Sequence, residues 1–303
     1  MRRSIDKLRE VVKSEVIENE PMANHTSFHI GGPAQIFCKP ENFEDIKNII
    51  EWAKKNKLPI MAVGNGTNLL VSDNGIDGVV IQIANKMKNI QFDRNTIITQ
   101  GGISLQELIN KSMEKGLGGI EFAAKIPGVI GGSIVMNAGS NSHFISKFIK
   151  YVTVIGMNGK IYKLYHDDLK FNYRYSILQN EPLILLDAFL VLENQDPVEI
   201  RKKVEIFSKI KKEHQPLDYP CAGSIFKNPP TTYAGKVLEE TNCKGLRVGD
   251  AMISDMHANF IINLGKATAS DVIHLIRKAQ QQVHRKKDLV LELEIKLAGN
   301  FRS

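Results

Sequence analysis

The chain has 303 residues, of which 43% are hydrophobic and 24% are charged, and it carries a formal net charge of +7 at pH 7. This composition is typical of a globular protein with two domains, or with one large domain and an appendage. We expect no membrane-spanning segment, because no run approaches the ~20 apolar residues that cross a bilayer.

The N-terminus and the cysteines indicate a cytoplasmic protein. Residues 1–19 mix basic and acidic side chains and lack the apolar core of a signal peptide. Cys38, Cys221 and Cys243 are odd in number and widely spaced, so they predict neither a disulfide framework nor a metal site. We therefore expect a reducing compartment and no bound metal ion.

The positive charge does not predict a nucleic-acid site. The basic clusters lie on polar faces of predicted helices, interleaved with Glu and Gln and without aromatic residues on which bases stack. These clusters are 201–203, 209–212 and 285–287. We expect solvated helix surfaces, whose mild positive field would help to collect an anionic nucleotide substrate.

Short helices and strands alternate in the first part of the chain. Ile5, Leu8, Val12 and Val16 recur at helical spacing and predict a helix over about the first 20 residues. Further helices are predicted at 43–57 and from the capping box at 104–107 to Gly116. Strands are predicted at 35–39, 60–63, 79–83, 152–155, 160–164 and 183–192, with a hairpin turn at Asn158-Gly159. This mixture fits an α+β domain better than a regular doubly wound sheet.

The pattern changes near residue 195, where we place a domain boundary. Asp196-Pro197 is an N-cap followed by proline at the first helical position, and it predicts a helix to about His214. A second helix is predicted at 268–285. Residues 289–297 alternate as a strand, with aliphatic side chains on one face and Glu292 and Glu294 on the other.

Two glycine-rich segments stand out. Seven of the 23 glycines fall within 116–139, between apolar residues rather than the polar residues of a flexible linker. Residues 64–68 (GNGTN) follow a predicted strand and have the same character. Glycine lets a ligand lie against the backbone, and converging N–H groups bind phosphate. Tight turns in a β-rich core are the alternative, but together the segments resemble the pyrophosphate-binding turns of a flavin domain of the vanillyl-alcohol-oxidase type.

Four further motifs occur in a specific order, namely 126–139 (IPGVIGGSIVMNAG), 173–176 (YRYS), 222–229 (AGSIFKNP) and 291–295 (LELEI). With 30–34, 64–68 and 248–260, they resemble the UDP-N-acetylenolpyruvoylglucosamine reductase (UDP-N-acetylmuramate dehydrogenase, MurB) family over about residues 24–299. No single motif is diagnostic, but the ordered set is highly specific. The chain lacks the substrate-domain insertion of the longer class, so it resembles the compact class, and we assign no lid residue.

The resemblance implies an enzyme of bacterial peptidoglycan precursor synthesis. Members bind FAD non-covalently and use NADPH to reduce the enolpyruvyl ether of UDP-N-acetylglucosamine to UDP-N-acetylmuramate. Hydride passes through the flavin to the vinyl carbon of the substrate, and the resulting enolate is protonated at the neighbouring carbon. The implied fold is α+β, with an N-terminal helix (1–23), a two-lobed FAD-binding domain of the vanillyl-alcohol-oxidase (PCMH) type (24–195) and a smaller α+β substrate-binding domain (196–303). We expect a monomer without a nucleic-acid partner.

Three catalytic residues carry over from the family motifs, namely Arg174, Ser224 and Glu294. An enolate built on a carboxylate needs a fixed cation, and arginine offers a charged bidentate fork. Ser224 follows Gly223, so its hydroxyl can approach a carbon and donate a proton, and Glu294 can hydrogen-bond the developing enol. Taken singly, a surface arginine, a turn serine and a solvated glutamate remain the alternatives.

The resemblance also implies two sets of binding residues. The expected FAD contacts are Gly64, Asn65, Gly66, Thr67, Asn68, Pro127, Gly128, Ile130, Gly131, Gly132, Asn137, Ala138 and Gly139. The expected substrate contacts are Tyr173, Lys227, Asn228 and His257, and Lys227 is close enough in sequence to support proton donation by Ser224.

The sequence departs from the family pattern at two places. After 136–139 the family commonly continues Ala-Tyr-Gly-Gly-Glu, whereas this chain has Ser-Asn-Ser-His-Phe at 140–144. His29 stands where the family usually has Arg or Lys. We therefore expect a differently shaped loop on the flavin side.

Two other functions remain open. A flavin oxidase of the same fold would act on an alcohol or a sugar lactone with oxygen and often tethers its flavin to His or Cys, which the mass of the denatured protein would reveal. A non-catalytic nucleotide-binding module would need none of Arg174, Ser224 and Glu294 together.

Overall fold

The computed structural model describes residues 2–84, 86–140 and 142–301. The chain forms two compact units, each built from three segments. The first unit comprises Met1–Glu18, Ile36–Asn65 and Gly78–Ile210, and the second comprises Asn19–Gln35, Gly66–Asp77 and Lys211–Ser303. The division into functional domains at 1–23, 24–195 and 196–303 stays a prediction.

The described residues include seven α-helices, and three of them begin at a side-chain cap. The Asn42 side chain accepts the N–H of Asp45, and the Ser104 side chain accepts the N–H of Glu107, as the capping pattern predicts. Thr268 and Asp271 form a reciprocal capping box. The helices are α1 (Arg2–Val11), α2 (Phe43–Lys55), α3 (Leu105–Glu114), α4 (Ile130–Val135), α5 (Pro197–His214), α6 (Ala234–Glu240) and α7 (Ala269–Lys287).

The strands are short and many pair locally. They are β1 (Glu15–Pro21), β2 (Pro33–Lys39), β3 (Ile60–Val63), β4 (Leu69–Val71), β5 (Ile76–Gln82), β6 (Ile90–Asp93), β7 (Thr96–Gln100), β8 (Leu117–Gly118), β9 (Gly139–Ser140), β10 (His143–Phe144), β11 (Ile149–Gly156), β12 (Ile161–Tyr165), β13 (Leu183–Val191), β14 (Glu193–Asn194), β15 (Cys221–Ser224), β16 (Arg247–Val248), β17 (Ala251–Ile253), β18 (Phe260–Asn263) and β19 (Lys296–Ala298).

The first unit holds most residues of two larger sheets. One has the order β1-β2-β5-β3, and the other is antiparallel with the order β12-β11-β13-β7-β6. Two buried aliphatic clusters fill this unit, one around α2 and β5 and the other around α3, α4 and the five-stranded sheet. The predicted hairpin at Asn158-Gly159 joins β11 to β12, and Gly159 supplies the required positive φ of +75°.

The second unit is built on an antiparallel sheet with the order β15-β18-β17-β16. A separate parallel pair joins β19 to β4, with Lys296 opposite Leu69. The core of this unit packs α6 and α7 against these strands and contains, among others, Leu238, Ile261, Leu275 and Leu291.

Two element predictions were wrong in extent. The N-terminal helix ends at Val11, and Val16 lies in β1, because the Asp45 carboxylate binds the N–H of Lys13 and the hydroxyl of Ser14 and turns the chain. Of the predicted strand 289–297, only Lys296 and Leu297 are in a strand, which continues to Ala298. Its alternation is nevertheless real upstream, since Leu291 and Ile295 are buried and Glu292 is exposed.

Candidate functional site

In the first unit, Gly64 of one glycine turn predicted to hold FAD lies against Val129 of the other turn. A Cβ on Gly64 would lie 2.6 Å from Cγ2 of Val129, so only glycine permits this contact. Gly128 has a φ of +117°, a conformation that favours glycine. Pro127 beside it is exposed. Gly64 is therefore explained by the close approach of its backbone to the Val129 side chain, and Gly128 by its positive φ.

Gly131 and Gly132 differ in their surroundings. A Cβ on Gly131 would lie 3.0 Å from the carbonyl oxygen of Gly101, whereas a Cβ on Gly132 would meet no described atom within 4 Å. The N–H groups of Ile130 and Gly131 donate to the carbonyls of Ile103 and Gly101, both at 2.9 Å. The expectation of N–H groups open to phosphate is therefore wrong for these two residues. The open space at Gly132 fits the predicted cofactor.

The rest of the first turn belongs to the second unit. A Cβ on Gly66 would collide with the carbonyl oxygen of His25, so packing within the protein accounts for this glycine. Nδ2 of Asn68 donates to the carbonyl of Glu294 at 3.1 Å, and the N–H of Lys296 donates to the carbonyl of Asn68 at 2.9 Å. Asn68 thus holds the segment that carries Glu294. Asn65, in the first unit, and Thr67 are half-buried.

The segment 137–139 packs against the turn that carries Arg174. Asn137 is buried at a φ of +43°, and its Nδ2 donates to the carbonyl of Asn172 at 2.8 Å. Nη2 of Arg174 donates to the carbonyl of Gly139 at 3.0 Å. The structure therefore places two predicted FAD contacts, Asn137 and Gly139, directly beside a predicted catalytic residue.

The loop that departs from the family pattern forms a small hairpin. Ser140 lies opposite His143, and Phe144 lies opposite Gly139. Asn141 lies outside the described residues, and Ala138, which precedes Gly139, is half-buried.

Arg174 occupies a strained position. The N–H and carbonyl groups of Asn172 and Tyr175 exchange two hydrogen bonds of 3.1 Å, which closes a two-residue turn over Tyr173 and Arg174. Arg174 has a φ of +52°, the left-handed region that costs a residue with a Cβ about 1–2 kcal/mol. Its guanidinium lies 5.2 Å from the centre of the Tyr173 ring. Such strain concentrates at functional sites, which agrees with the predicted role of Arg174.

Ser224 and Glu294 lie on paired segments of the second unit. Ser224 ends β15, opposite Phe260 of β18. The next residues pair with 292–294, where the N–H of Glu294 donates to the carbonyl of Ile225 and the N–H of Lys227 donates to the carbonyl of Glu292, both at 2.8 Å. The backbone hydrogen bonds therefore place Glu294 one residue along the ladder from Ser224.

Asn259 holds the other side of the same segment, and the sequence analysis assigned it no role. It is only 3% exposed, and its side chain bonds both polar groups of Phe226, with Oδ1 accepting the N–H at 2.9 Å and Nδ2 donating to the carbonyl at 2.8 Å. Its carbonyl accepts the N–H of Ile225 at 2.8 Å. The signal was present in the motif His257-Ala258-Asn259-Phe260, where a polar residue stands between apolar ones.

Three predicted substrate contacts lie near this segment. Nζ of Lys227 lies 3.4 Å from Oε2 of Glu292. Oδ1 of Asn228 accepts the N–H of Ala234, the first residue of α6. Nδ1 of His257 accepts the N–H of Asn259 at 3.2 Å, and burial lowers the pKa of His257, so the ring is held neutral. The roles of Lys227, Asn228 and His257 toward a substrate stay predictions.

Tyr173, the fourth predicted substrate contact, lies in the first unit beside Arg174 and is 37% exposed. Arg174 also belongs to the first unit, whereas Ser224 and Glu294 belong to the second. A shared catalytic role of Arg174 with Ser224 and Glu294 therefore stays a prediction.

Some site types are absent from the part of the chain that the structure describes. No group of three or more His, Cys, Asp or Glu side chains could hold a metal ion there. None of its helices is both long enough and apolar enough to cross a membrane.

Comparison with known proteins finds a matching family for each of two stretches of the chain. Residues 34–165 match the model of the FAD binding domain family, and residues 215–298 match that of the UDP-N-acetylenolpyruvoylglucosamine reductase C-terminal domain. The chain is 44% identical to the UDP-N-acetylenolpyruvoylglucosamine reductase of Caldanaerobacter subterraneus over 97% of this chain and 98% of that protein. It is 40% identical to that of Bacillus licheniformis over the full length of both.

A solved structure supports the same assignment. The crystal structure of UDP-N-acetylenolpyruvylglucosamine reductase (MurB) from Thermus caldophilus matches with a TM-score of 0.81 and 33% identity, covering 95% of this chain and 99% of that one. The predicted α+β fold with an FAD-binding domain is confirmed, and so is FAD as the cofactor. The chain belongs to the UDP-N-acetylenolpyruvoylglucosamine reductase family, and it is an FAD-containing oxidoreductase.

Proposed function

We propose that this enzyme uses NADPH to reduce the enolpyruvyl ether of UDP-N-acetylglucosamine to UDP-N-acetylmuramate, a step of peptidoglycan precursor synthesis. The observation that carries the proposal is the pairing of 225–227 with 292–294, which sets a hydroxyl donor and a carboxylate on adjacent backbone segments. A hydride acceptor with a carboxylate-stabilised enolate intermediate needs a proton donor of this kind at its neighbouring carbon.

FAD would be held by the parts of the two glycine turns that lie in the first unit, namely Gly64, Asn65 and 127–132. Gly64 and Gly128 allow the turns to pack closely, and the space beside Gly132 admits a group that no side chain fills. When bound, FAD supplies the hydride relay between the nicotinamide and the substrate. Asn137 and Gly139 complete this region and link it to the arginine turn.

Arg174 would stabilise the charge that develops on the substrate carboxylate. Its guanidinium is already oriented by the Gly139 carbonyl and by the Tyr173 ring, so little reorganisation is needed as charge develops. The left-handed backbone of Arg174 fixes the direction in which the side chain leaves the turn.

Ser224 would donate the proton that completes the reaction. Hydride adds to the terminal vinyl carbon, the electron pair of the double bond moves onto the carboxylate-bearing carbon, and Ser224 protonates that carbon. A serine hydroxyl is a weak acid, so Lys227 or water would return its proton. Glu294 would hydrogen-bond the developing enol.

The remaining assignments follow from the substrate. Lys227, Asn228, His257 and Tyr173 would contact the nucleotide sugar, and the net charge of +7 favours binding of its diphosphate. We place the reaction in the cytoplasm, where nucleotide sugars are made, and we propose a monomeric enzyme without a nucleic-acid partner.

The experiment is the NADPH absorbance of purified yellow protein with and without enolpyruvyl-UDP-N-acetylglucosamine. We expect NADPH oxidation only with that substrate, and a product heavier by two hydrogens. Fast NADPH-independent oxidation of an alcohol or a sugar lactone by oxygen, or FAD retained in the mass of the denatured protein, would contradict the proposal.

A further inference from the structure

The side chain of Asn259 continues the hydrogen-bonding pattern of β15 and β18 beyond the end of their backbone pairing. The pairing of β15 with β18 ends where Ser224 lies opposite Phe260. Two residues further on, the amide of Asn259 bonds the N–H and the carbonyl of Phe226, the two groups that a neighbouring strand would otherwise bond. These two bonds also fix which amide atom is oxygen, because the reversed orientation would set donor against donor.

The segment 225–227 is therefore held from both sides. On one side it pairs with 292–294 through two backbone hydrogen bonds. On the other it meets Asn259, whose carbonyl also accepts the N–H of Ile225, the residue directly after Ser224. Phe226 is 2% exposed, so water cannot replace the amide if it is lost.

We propose that Asn259 is a positioning residue for Ser224, setting where its hydroxyl meets the substrate during protonation. This rests on the proposed function, in which Ser224 is the proton donor. Gly223 precedes Ser224 at a φ of +75°, with open space around it, so this side of Ser224 does not fix its position. The clamp on Ile225 and Phe226 does so instead. Displacement of a reacting group by about 1 Å costs ~10²-fold in rate.

The test is Asn259→Asp, which preserves the shape of the side chain and replaces its amide by a carboxyl group. When the introduced carboxyl is protonated, it can still accept the N–H of Phe226 and donate to its carbonyl. When it is ionised, it faces that carbonyl with negative charge and pushes the segment away. Burial and the carbonyl both raise the pKa of such a carboxyl above its usual range. Lowering the pH should therefore restore the clamp.

Asn263→Asp is the matched control. Asn263 is equally buried and ends β18, four residues after Asn259, and it bonds the carbonyl of Phe28 and the N–H groups of Gly265 and Ala267, remote from 224–227. Groups that titrate beside the Asn259 clamp, namely His257, Lys227, Glu292 and Glu294, are present in all three proteins, so their effects cancel in the comparison.

Stopped-flow absorbance separates the two half-reactions. For Asn259→Asp we expect normal reduction of the enzyme by NADPH, and reoxidation by enolpyruvyl-UDP-N-acetylglucosamine slowed ~10²-fold at pH 8. The deficit relative to wild type should shrink as the pH falls, whereas Asn263→Asp should show no such recovery. If Asn259→Asp does not fold, Asn259→Ser should show the slow reoxidation without recovery at low pH.

The inference would be overturned if Asn259→Asp were reoxidised at the wild-type rate. If Asn259→Asp does not fold, the same result for Asn259→Ser would overturn it. So would slowing of both half-reactions equally, or a deficit independent of pH in Asn259→Asp. The proposed function fails separately, since wild-type enzyme would then not be reoxidised by this substrate at all.

Discussion

Arg174 can be tested by a pair of substitutions that separates its backbone conformation from its side chain. Its φ of +52° penalises any residue with a Cβ, and glycine alone avoids that penalty. Arg174→Gly and Arg174→Ala both remove the guanidinium and its bond to the Gly139 carbonyl. The two variants then differ only in the Cβ, so the difference between their stabilities reports the backbone.

The expected difference has a definite sign. Relief of the left-handed conformation favours the glycine variant by about 1–2 kcal/mol, and the greater freedom of glycine in the unfolded chain opposes it by about 0.4–1 kcal/mol. The glycine variant should therefore be more stable than the alanine variant by up to about 1.6 kcal/mol, with a central value of about 0.8 kcal/mol. At an ordinary negative φ the order would be reversed.

The measurement is thermal unfolding of both variants under one set of conditions, with turnover measured in parallel. A difference of 1 kcal/mol shifts Tm by about 2–4 °C in units of this size, so Arg174→Gly should melt about 1–4 °C above Arg174→Ala. Both should lose turnover by ~10²-fold or more, as expected when a preorganised charge is removed. An alanine variant at least as stable as the glycine variant would refute the strained turn, and near-normal turnover in either would refute the catalytic role.

Three further outcomes are expected. Gly132→Val should fold but purify with little FAD. Gly131→Leu should lose both FAD and stability, because its Cβ would press on the Gly101 carbonyl. Full flavin absorbance in Gly132→Val would contradict the cofactor placement. Arg174→Lys should remain folded and yellow but lose most of its turnover, since a point charge replaces a bidentate fork; normal steady-state rates would make Arg174 structural. Burial raises the pKa of Asp187 to about 6, so the folded state holds a proton that the unfolded state releases between about pH 4 and 6, and stability falls as the pH rises through this window. The Tm gain of Asp187→Asn over wild type should thus be larger at pH 7.5 than at pH 4, an effect that should be absent from the exposed control Asp167→Asn.

Local signals predicted most of the regular structure. The capping residue Ser104, the turn at Asn158-Gly159 and the proline at the start of α5 act through atoms a few residues away, so sequence reading finds them. The N-terminal helix was predicted to be too long. It ends at Val11 because Asp45, which lies far along the chain, accepts the N–H of Lys13. No local pattern contains that contact.

The same limit applies to the candidate site. Gly66 and Asn68 carry the residue types of a phosphate turn, yet their visible contacts are to His25 and to the Glu294 segment. The N–H of Gly131 likewise donates to the carbonyl of Gly101. Asn259 was overlooked because the sequence shows only a polar residue between two apolar ones, whereas its partner Phe226 becomes apparent in the fold.

The account rests most directly on Ser224 as a proton donor that acts after hydride has been transferred. The deciding measurement is stopped-flow comparison of wild type and Ser224→Ala in both half-reactions. We predict that NADPH reduces the two proteins at nearly equal rates, and that reoxidation by enolpyruvyl-UDP-N-acetylglucosamine is slowed ~10²–10⁴-fold in Ser224→Ala, with partial recovery in Ser224→Cys. Equal slowing of both half-reactions, or of neither, would contradict it.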